Sequence, residues 1–263
     1  MNLTPDQRRN KIIDILEQHD FVDFTYFGQY FNVSEMTIRR DIEYLERAGE
    51  VVRVYGGAKL RNDRGYEASI QERLKTNHKE KQVIAKQAAA QIFDGDVIAL
   101  DGSTTALEVS KLIKDRKNLT VITNNISIAI ELSTAVDIQT VLLGGFVRGS
   151  SLSLVGAMVE QSLGAFYIDK TFISSRALHY TEGLTDITVE EGEAKKAMVE
   201  KSNRVYVLVD HTKLDNLSFF HVIDREKIDV IITDQLVPFT QEQQQLIENF
   251  RTDGIEVMIS SDD

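Results

Sequence analysis

Two short stretches carry residue types that could do chemistry. "DGSTT", residues 101–105, sets a carboxylate, a glycine and three hydroxyls between a β-branched apolar run and a helical stretch. A helix beginning there exposes unpaired N–H groups and the positive end of its dipole, and small hydroxyl residues let an anion approach. Gly102, Ser103, Thr104 and Thr105 therefore form a candidate anion cradle beside Asp101. The loop has neither the Gly-Lys-Ser/Thr of a nucleoside-triphosphate site nor the G-x-G-x-x-G of a dinucleotide site. Sequence alone weighs a structural turn and a ligand site equally. "TIRRD", residues 37–41, places Arg39 and Arg40 side by side on a short helix. Arginine grips guanine or phosphate with two hydrogen bonds, while threonine and methionine meet phosphate or a thymine methyl. The same residues also read as a solvated helix face with an internal Arg–Asp pair, and pattern does not choose between the two.

The elements that must hold these residues follow from periodicity. Thr4-Pro5-Asp6-Gln7 has a capping-box pattern with proline at the first helical position, and Ile12, Ile13 and Leu16 follow on one side. A second helix fits Phe24–Phe31, Asn32-Val33 makes a turn, and Ser34 caps a third helix. On that helix Ile38, Ile42 and Leu45 form an inward stripe. Met36, Thr37, Arg40 and Tyr44 point outward, with Arg39 and Asp41 on the flanks. Gly49 reads as its stop. "EVVRVYGGAKL" then reads as a hairpin turning at Gly56-Gly57, so the first 60 residues suggest three helices and a wing that carries Arg53 and Lys59.

Residues 61–79 are polar and lack periodicity, the pattern of a linker. Beyond them, "DVIAL", "LTVIT", "IQTVLLGG", "KTFIS", "RVYVLVD", "DVIITD" and "IEVMIS" are largely continuous apolar runs. Several are separated by helical stretches at about 80–93, 105–115, 126–134 and 241–251. The expected class is α/β with a mostly parallel sheet over residues 80–263. "EEGEAKKAM", 190–198, reads as a charged helix with a solvated face.

Charge and composition narrow the function. The formal net charge is −11, but residues 1–61 hold nine Lys/Arg against ten Asp/Glu, and 36–61 hold six against four. Any nucleic-acid surface is therefore a local patch. The chain has no cysteine, which excludes disulfides and thiolate metal sites and suits a reducing cytoplasm. No apolar run approaches a membrane span, and no leader pattern opens the chain. The histidines at 19, 78, 179, 211 and 221 show no metal-ligand spacing, so neither metal nor cofactor is expected.

"VSEMTIRRDIEYLERAGEVVRVYGGA" resembles the signature of the DeoR family of bacterial regulators, through Val33, Ser34, Thr37, Ile38, Arg39, Arg40, Asp41, Leu45, Gly49, Arg53, Gly56 and Gly57. Tyr55 stands where such proteins usually carry histidine, and its hydroxyl can still reach phosphate. The resemblance implies a winged helix-turn-helix over 1–60, with Ser34, Met36, Thr37, Arg39, Arg40, Tyr44, Arg53, Tyr55 and Lys59 facing double-stranded DNA.

The resemblance extends along essentially the whole chain. It implies a sensor domain similar in fold to ribose-5-phosphate isomerase that binds a phosphorylated sugar. The matching pieces are Lys81, the Asp101–Thr105 loop, Thr123-Asn124-Asn125, Gly144-Gly145, Glu182-Gly183, Asp210 and Lys213. By similarity Lys81 and the hydroxyl loop hold the phosphate, and Asn125, Glu182, Asp210 and Lys213 surround the sugar. Glu191 and Lys195 also match recurring family positions. Ser174 and Ala177 replace usual glycines, which alters the pocket's shape. Arg176 reads either as an anion contact or as a surface charge.

The expectation is a cytoplasmic, sequence-specific DNA-binding regulator of a carbohydrate operon. It would be a repressor that acts as a homodimer or homotetramer, with an operator and a sugar phosphate as partners. The alternative is an isomerase-like enzyme with an accessory N-terminal domain, using Asp101, Asp210 or Glu182 to shuttle a proton beside a sugar carbonyl.

Overall fold

The computed structural model describes residues 3–16, 19, 21–47, 50–54, 56–60 and 70–261. The chain divides into two compact units, Met1–Tyr66 and Glu67–Asp263.

In the first unit, helix α1 (Pro5–Leu16) starts from a reciprocal cap: Gln7 N–H donates to Thr4 Oγ1 at 3.3 Å, and Thr4 N–H to Gln7 Oε1 at 3.1 Å. Strand β1 (Val22–Asp23) leads directly into α2 (Phe24–Phe31), whose first turn is capped by the Asp23 carboxylate. Asn32, at φ 53°, closes α2 in the left-handed conformation that asparagine tolerates. A Cβ on Gly28 would lie 3.2 Å from Val33 O, so glycine lets the turn fold tightly against α2. Helix α3 (Glu35–Arg47) follows, then the antiparallel pair β2 (Val51–Val54) and β3 (Gly57–Leu60), with β1 on the other side of β3. Ile12, Phe24, Phe27, Ile38, Ile42, Leu45 and Val51 form the core of this unit. Gly49 lies outside the described residues.

The second unit begins with α4 (Ile70–Lys75) and α5 (His78–Ala89), so much of 70–79, which reads as linker in the sequence, is helical. Next come β4 (Val97–Leu100), α6 (Thr104–Leu112), β5 (Leu119–Thr123), α7 (Ile126–Leu132) and β6 (Ile138–Leu142). A hairpin, β7 (Phe146–Arg148) and β8 (Ser153–Val155), precedes α8 (Ala157–Leu163) and β9 (Ile168–Ile173). Then follow β10 (Ala177–His179), β11 (Gly183–Asp186), α9 (Val189–Glu200), β12 (Ser202–Leu208), β13 (Phe220–Ile223), β14 (Val230–Asp234), α10 (Gln241–Thr252) and β15 (Glu256–Ser260).

Seven strands form one parallel sheet in the order β15-β14-β12-β9-β4-β5-β6. Alternate residues face opposite sides. Ile98, Leu100, Val121, Phe172, Tyr206 and Leu208 pack under α5, α6 and α7. Ala99, Ile122, Ile173, Val205, Val207 and Ile231 pack toward α8, α9 and α10. Both faces are covered, which explains the nearly continuous apolar runs. The order reverses between β4 and β9, and in doubly wound sheets the crevice beyond the carboxyl ends at such a switch point is where ligands bind. Beyond those ends stand Asp101 and Ser174.

Candidate functional site

The recognition-type surface is built on α3. Burial of Ile38, Ile42 and Leu45 turns Met36 (61% exposed) and Tyr44 (54% exposed) outward, and Arg40 is exposed with no partner among the described residues. Ser34 Oγ accepts the Thr37 N–H at 3.3 Å and lies 3.0 Å from Thr37 Oγ1, so both hydroxyls serve the cap while staying at the surface. Arg39 is held on the flank, 3.7 Å from Glu35 and 4.5 Å over the Phe24 ring. Tyr44 lies under the Arg9 guanidinium at 3.8 Å. On the wing, Arg53 is exposed and 3.8 Å from Glu46, and Lys59 is half-buried. Tyr55 lies outside the described residues.

Asp41 is not on the flank of α3. It is 2% exposed and accepts Arg8 Nε at 2.5 Å and Arg9 Nε at 3.1 Å. The internal Arg–Asp pair of "TIRRD" is therefore absent among the described contacts. Asp41 ties α3 to α1 and leaves Arg40 without a partner among the described residues.

The second site lies at the switch point. Asp101 Oδ1 accepts the Ser103 hydroxyl at 2.5 Å and its N–H at 3.2 Å, and Ser103 Oγ in turn caps α6 through Ala106 N at 3.0 Å. Asp101 Oδ2 accepts Ser174 N at 3.1 Å and lies 3.7 Å from Lys195 Nζ. Lys195 is 2.7 Å from Asp186. Thr104 and Thr105 are buried at the start of α6. A Cβ on Gly102 would lie 3.0 Å from Ser153 Cβ and 3.2 Å from Glu191 Oε2, so glycine lets the loop pass close to this wall. Glu191 accepts from Ser151 at 2.8 Å and from Ser153. Asn125 caps α7 with its Oδ1 and donates to the carbonyls of Gly102 (3.3 Å) and Ser151 (3.2 Å), clamping the loop.

On the β12 side, Asp210 accepts from Thr212 and from Asn77 Nδ2 at 3.1 Å, and its carboxylate is 3.9 Å from Lys213 Nζ. Lys213 donates to Ser174 Oγ at 3.0 Å, so the serine at a usual glycine position supplies an acceptor. Ala177 is buried in β10, and Arg176 is half-buried. Lys81 is 5% exposed and donates to the carbonyls of Arg73 and Thr76, the latter at 2.6 Å.

Burial pushes the Asp101 carboxyl up despite Lys195. Burial would also raise Asp186, but the Lys195 charge and hydrogen bond hold it below the usual range. Asp210 is likewise held down against its burial, by Lys213 and the Thr212 hydroxyl. Burial would lower Lys195, yet Asp186, Asp101 and Glu191 push it above the ordinary value. Burial and the Lys213 charge bring Lys81 down to about 8. Lys213 is lowered by burial, with Asp210 opposing.

Asp101, Gly102, Ser103, Thr104, Thr105, Asn125, Lys81, Asp210 and Lys213 thus cluster around the switch point, but Glu182 does not join them. It is exposed in the β10–β11 turn, where neighbouring Tyr180 bonds to Asp253 beyond α10. Asp186, at the far end of β11 from that turn, faces Lys195 at 2.7 Å, and the length of the strand, roughly 10 Å, keeps Glu182 away from it. Glu191 and Lys195 are not on a solvated face either: they are 6% and 5% exposed. Positions 191, 194, 195, 198 and 199 share one helical face, so two charges on an otherwise apolar stripe were the available signal.

A winged helix-turn-helix in one chain with a doubly wound α/β unit that gathers buried cations and hydroxyls at its switch point defines a ligand-sensing, DNA-binding regulator. A family model for the DeoR-like helix-turn-helix domain matches residues 8–64, and one for the DeoR C terminal sensor domain matches 76–235. The HTH-type transcriptional regulator GolR of Listeria innocua is 33% identical over 97% of this chain and 99% of its own length. The HTH-type transcriptional repressor GlcR of Bacillus subtilis is 33% identical over 98% and 97%. The glycerol-3-phosphate regulon repressor of Escherichia coli is 28% identical over 88% and 92%. Among solved structures, ribose 5-phosphate isomerase of Methanocaldococcus jannaschii superimposes with a TM-score of 0.40 at 20% identity, over 53% of this chain and 55% of that one. The chain belongs to the DeoR family of transcriptional regulators. Its relatives are regulators, and the isomerase reading is set aside. Among the described residues no helix is long and apolar enough to cross a membrane.

Proposed function

We propose that this protein is a cytoplasmic repressor of a carbohydrate-use operon that releases its operator when a sugar phosphate binds at the β4/β9 switch point. Residues 1–60 read DNA, 61–79 connect, and 80–263 sense the ligand. The observation that carries this reading is the gathering of Lys81 and Lys213 beside the hydroxyl loop that opens α6. A phosphate there meets cations and a helix N-terminus together. Lys81 and the Gly102–Thr105 loop hold the phosphate; Asp101, Asn125, Asp210 and Lys213 shape and orient the surroundings. Glu182 contributes only from outside this cluster. On DNA, Met36, Thr37 and Arg40 read bases, and Ser34, Arg39, Tyr44, Arg53, Tyr55 and Lys59 serve the phosphate backbone. Helix-turn-helix readers bind paired half-sites, which suits a homodimer or homotetramer.

Arg40 tests the DNA half of this reading. Arg40→Ala weakens operator binding by ~1–3 kcal/mol and leaves sugar-phosphate affinity unchanged, because Arg40 is exposed and unpartnered. Fluorescence anisotropy with a labelled operator measures the first and calorimetry the second. Wild-type operator affinity in the variant would remove Arg40 from the interface.

Lys81 tests the sensing half. A lysine whose folded pKa lies below its unfolded value of 10.5 weakens the ligand-free fold at every pH below about 8, and the penalty fades as pH rises toward 10.5. An anion favours the charged form. Ligand affinity therefore falls as pH rises through about 8, with proton uptake on binding near that pH, and it also falls below about 6, where the phosphate itself takes up a proton. Buffer-dependent calorimetric heats report the uptake. A pH profile flat to 9 would place Lys81 away from the anion.

A further inference from the structure

From Ile138 to Val159 the chain carries a single charged residue, Arg148, although Asp, Glu, Lys and Arg make up 27% of the whole. The stretch lies at an edge of the second unit. Strand β6 ends the seven-stranded sheet, and β7 pairs only with β8 among the described residues. Leu143, Leu154, Val155 and Val159 are buried beneath and hold β7, β8 and α8 in place. Leu142, Phe146, Val147 and Met158 are exposed, Phe146 at 74% and Val147 at 56%. Glycines bring these side chains together. The Met158 methyl lies 3.7 Å from where a Cβ on Gly144 would stand, and the Phe146 ring 3.3 Å from a Cβ on Gly156. Arg148 turns inward, with Nη1 3.3 Å from Thr188 Oγ1 and 3.8 Å from Glu191.

Such a face calls for a cover. Edge strands in native proteins are blunted by charges, by proline or by an overlying element, and β6 and β7 hold no proline and no charge but Arg148. The four exposed side chains offer roughly 400 Å² of apolar surface, a size that commonly marks an interaction site and about half of the ~800 Å² that each partner gives to a standard interface. The uncharged residues around them can supply the rest. Charge then names the partner. Near a twofold axis each residue meets its own copy, so a charged patch repels itself and a neutral one does not. In a chain of net charge −11, two copies meet at least electrostatic cost where charge is missing, whereas a basic or acidic partner finds nothing complementary there.

We propose that the face formed by Leu142, Phe146, Val147 and Met158 is the surface through which two copies of the second unit associate about a twofold axis. This rests on the homo-oligomer reading above and names its contact. The same hairpin reaches the ligand loop from its other side: Ser153 adjoins Gly102, and Asn125 donates to Ser151 O at 3.2 Å. The contact between copies and the ligand site therefore share one hairpin.

Sedimentation velocity of the full chain over a wide range of concentration tests this, comparing wild type with Phe146→Asp, Met158→Glu and Tyr167→Asp. Tyr167 is an equally bare aromatic just ahead of β9, at the amino ends of the parallel strands, and serves as the control. Wild type and Tyr167→Asp sediment as a dimer or a larger even assembly. Phe146→Asp and Met158→Glu each raise the dissociation constant about a hundredfold or more, because a twofold contact contains each change twice. Both keep the wild-type circular dichroism spectrum, since neither side chain belongs to the core. If both assemble as wild type does, or if Tyr167→Asp dissociates equally, this face is not the contact and the homo-oligomer reading still stands. A wild type that is monomeric at every concentration would overturn both and leave the face to a different partner.

Discussion

Asp41→Ala abolishes operator binding and leaves sugar-phosphate binding intact, because it unfolds the first unit alone. The Asp41 carboxylate is buried between Arg8 and Arg9, whose side chains are 10% and 20% exposed. Removing one partner of a buried pair leaves the other charge uncompensated and costs ~3–5 kcal/mol. At roughly 0.05–0.15 kcal/mol per residue, a unit of this size holds little more than that. Differential melting of the two units by circular dichroism checks the loss, and hydrogen exchange at Ile12 and Ile38 locates it. Replacing the pair by apolar residues, as in Asp41→Leu with Arg8→Met, recovers part of the stability because no unpaired charge remains at Arg8. An Asp41→Ala protein that melts like wild type would mean that the pair is not what binds α1 to α3.

The second large effect is at Lys195. Lys195→Met leaves Asp101 and Asp186 buried without their cation and destabilises the second unit by ~3–5 kcal/mol near neutral pH. The pH window follows from the shifts. Asp186 is depressed, so its contribution is present above the ordinary value of 3.8 and lost as pH falls through its folded value. Lys195 is raised, so its contribution is complete below 10.5 and lost as pH rises through its folded value. The wild-type advantage is therefore widest between roughly pH 4 and 10.5, and it shrinks in acid as the variant's carboxyls take up protons. Urea melts of both proteins at about pH 7 and about pH 3 read the difference. An equal gap at both pH values would show that Lys195 contributes packing and not charge.

Much of the fold was legible because its causes are local. Thr4 and Gln7 cap a helix within one turn, α2 occupies the Phe24–Phe31 span that its pattern predicts, and the seven apolar runs became the seven strands of the parallel sheet. Hydrophobic period and capping chemistry act between near neighbours in the chain, so a single sequence displays them. The family signature added what period cannot, the expectation that α3 faces DNA. Helix α8 and the small β10-β11-β13 sheet were not read, since short elements offer too few residues for a period to show.

By itself, then, the sequence determined the two-part organisation, the outward face of α3, the alternation of strand and helix, and the Asp101–Thr105 loop at a helix start. Only the tertiary structure decided which charges are buried and with whom. Asp41 is paired 32 and 33 residues away, Lys195 stands between Asp101 and Asp186, Glu182 sits in the turn before β11 while Asp186 ends that strand, and Nε and Nη2 of the half-buried Arg73 are shut off from solvent with no hydrogen bond among the described residues. The physical reason is that a charge's environment is set by what long-range packing brings within a few ångströms. The strand order that brings Asp101 to Ser174 across 73 residues is not written in either segment alone.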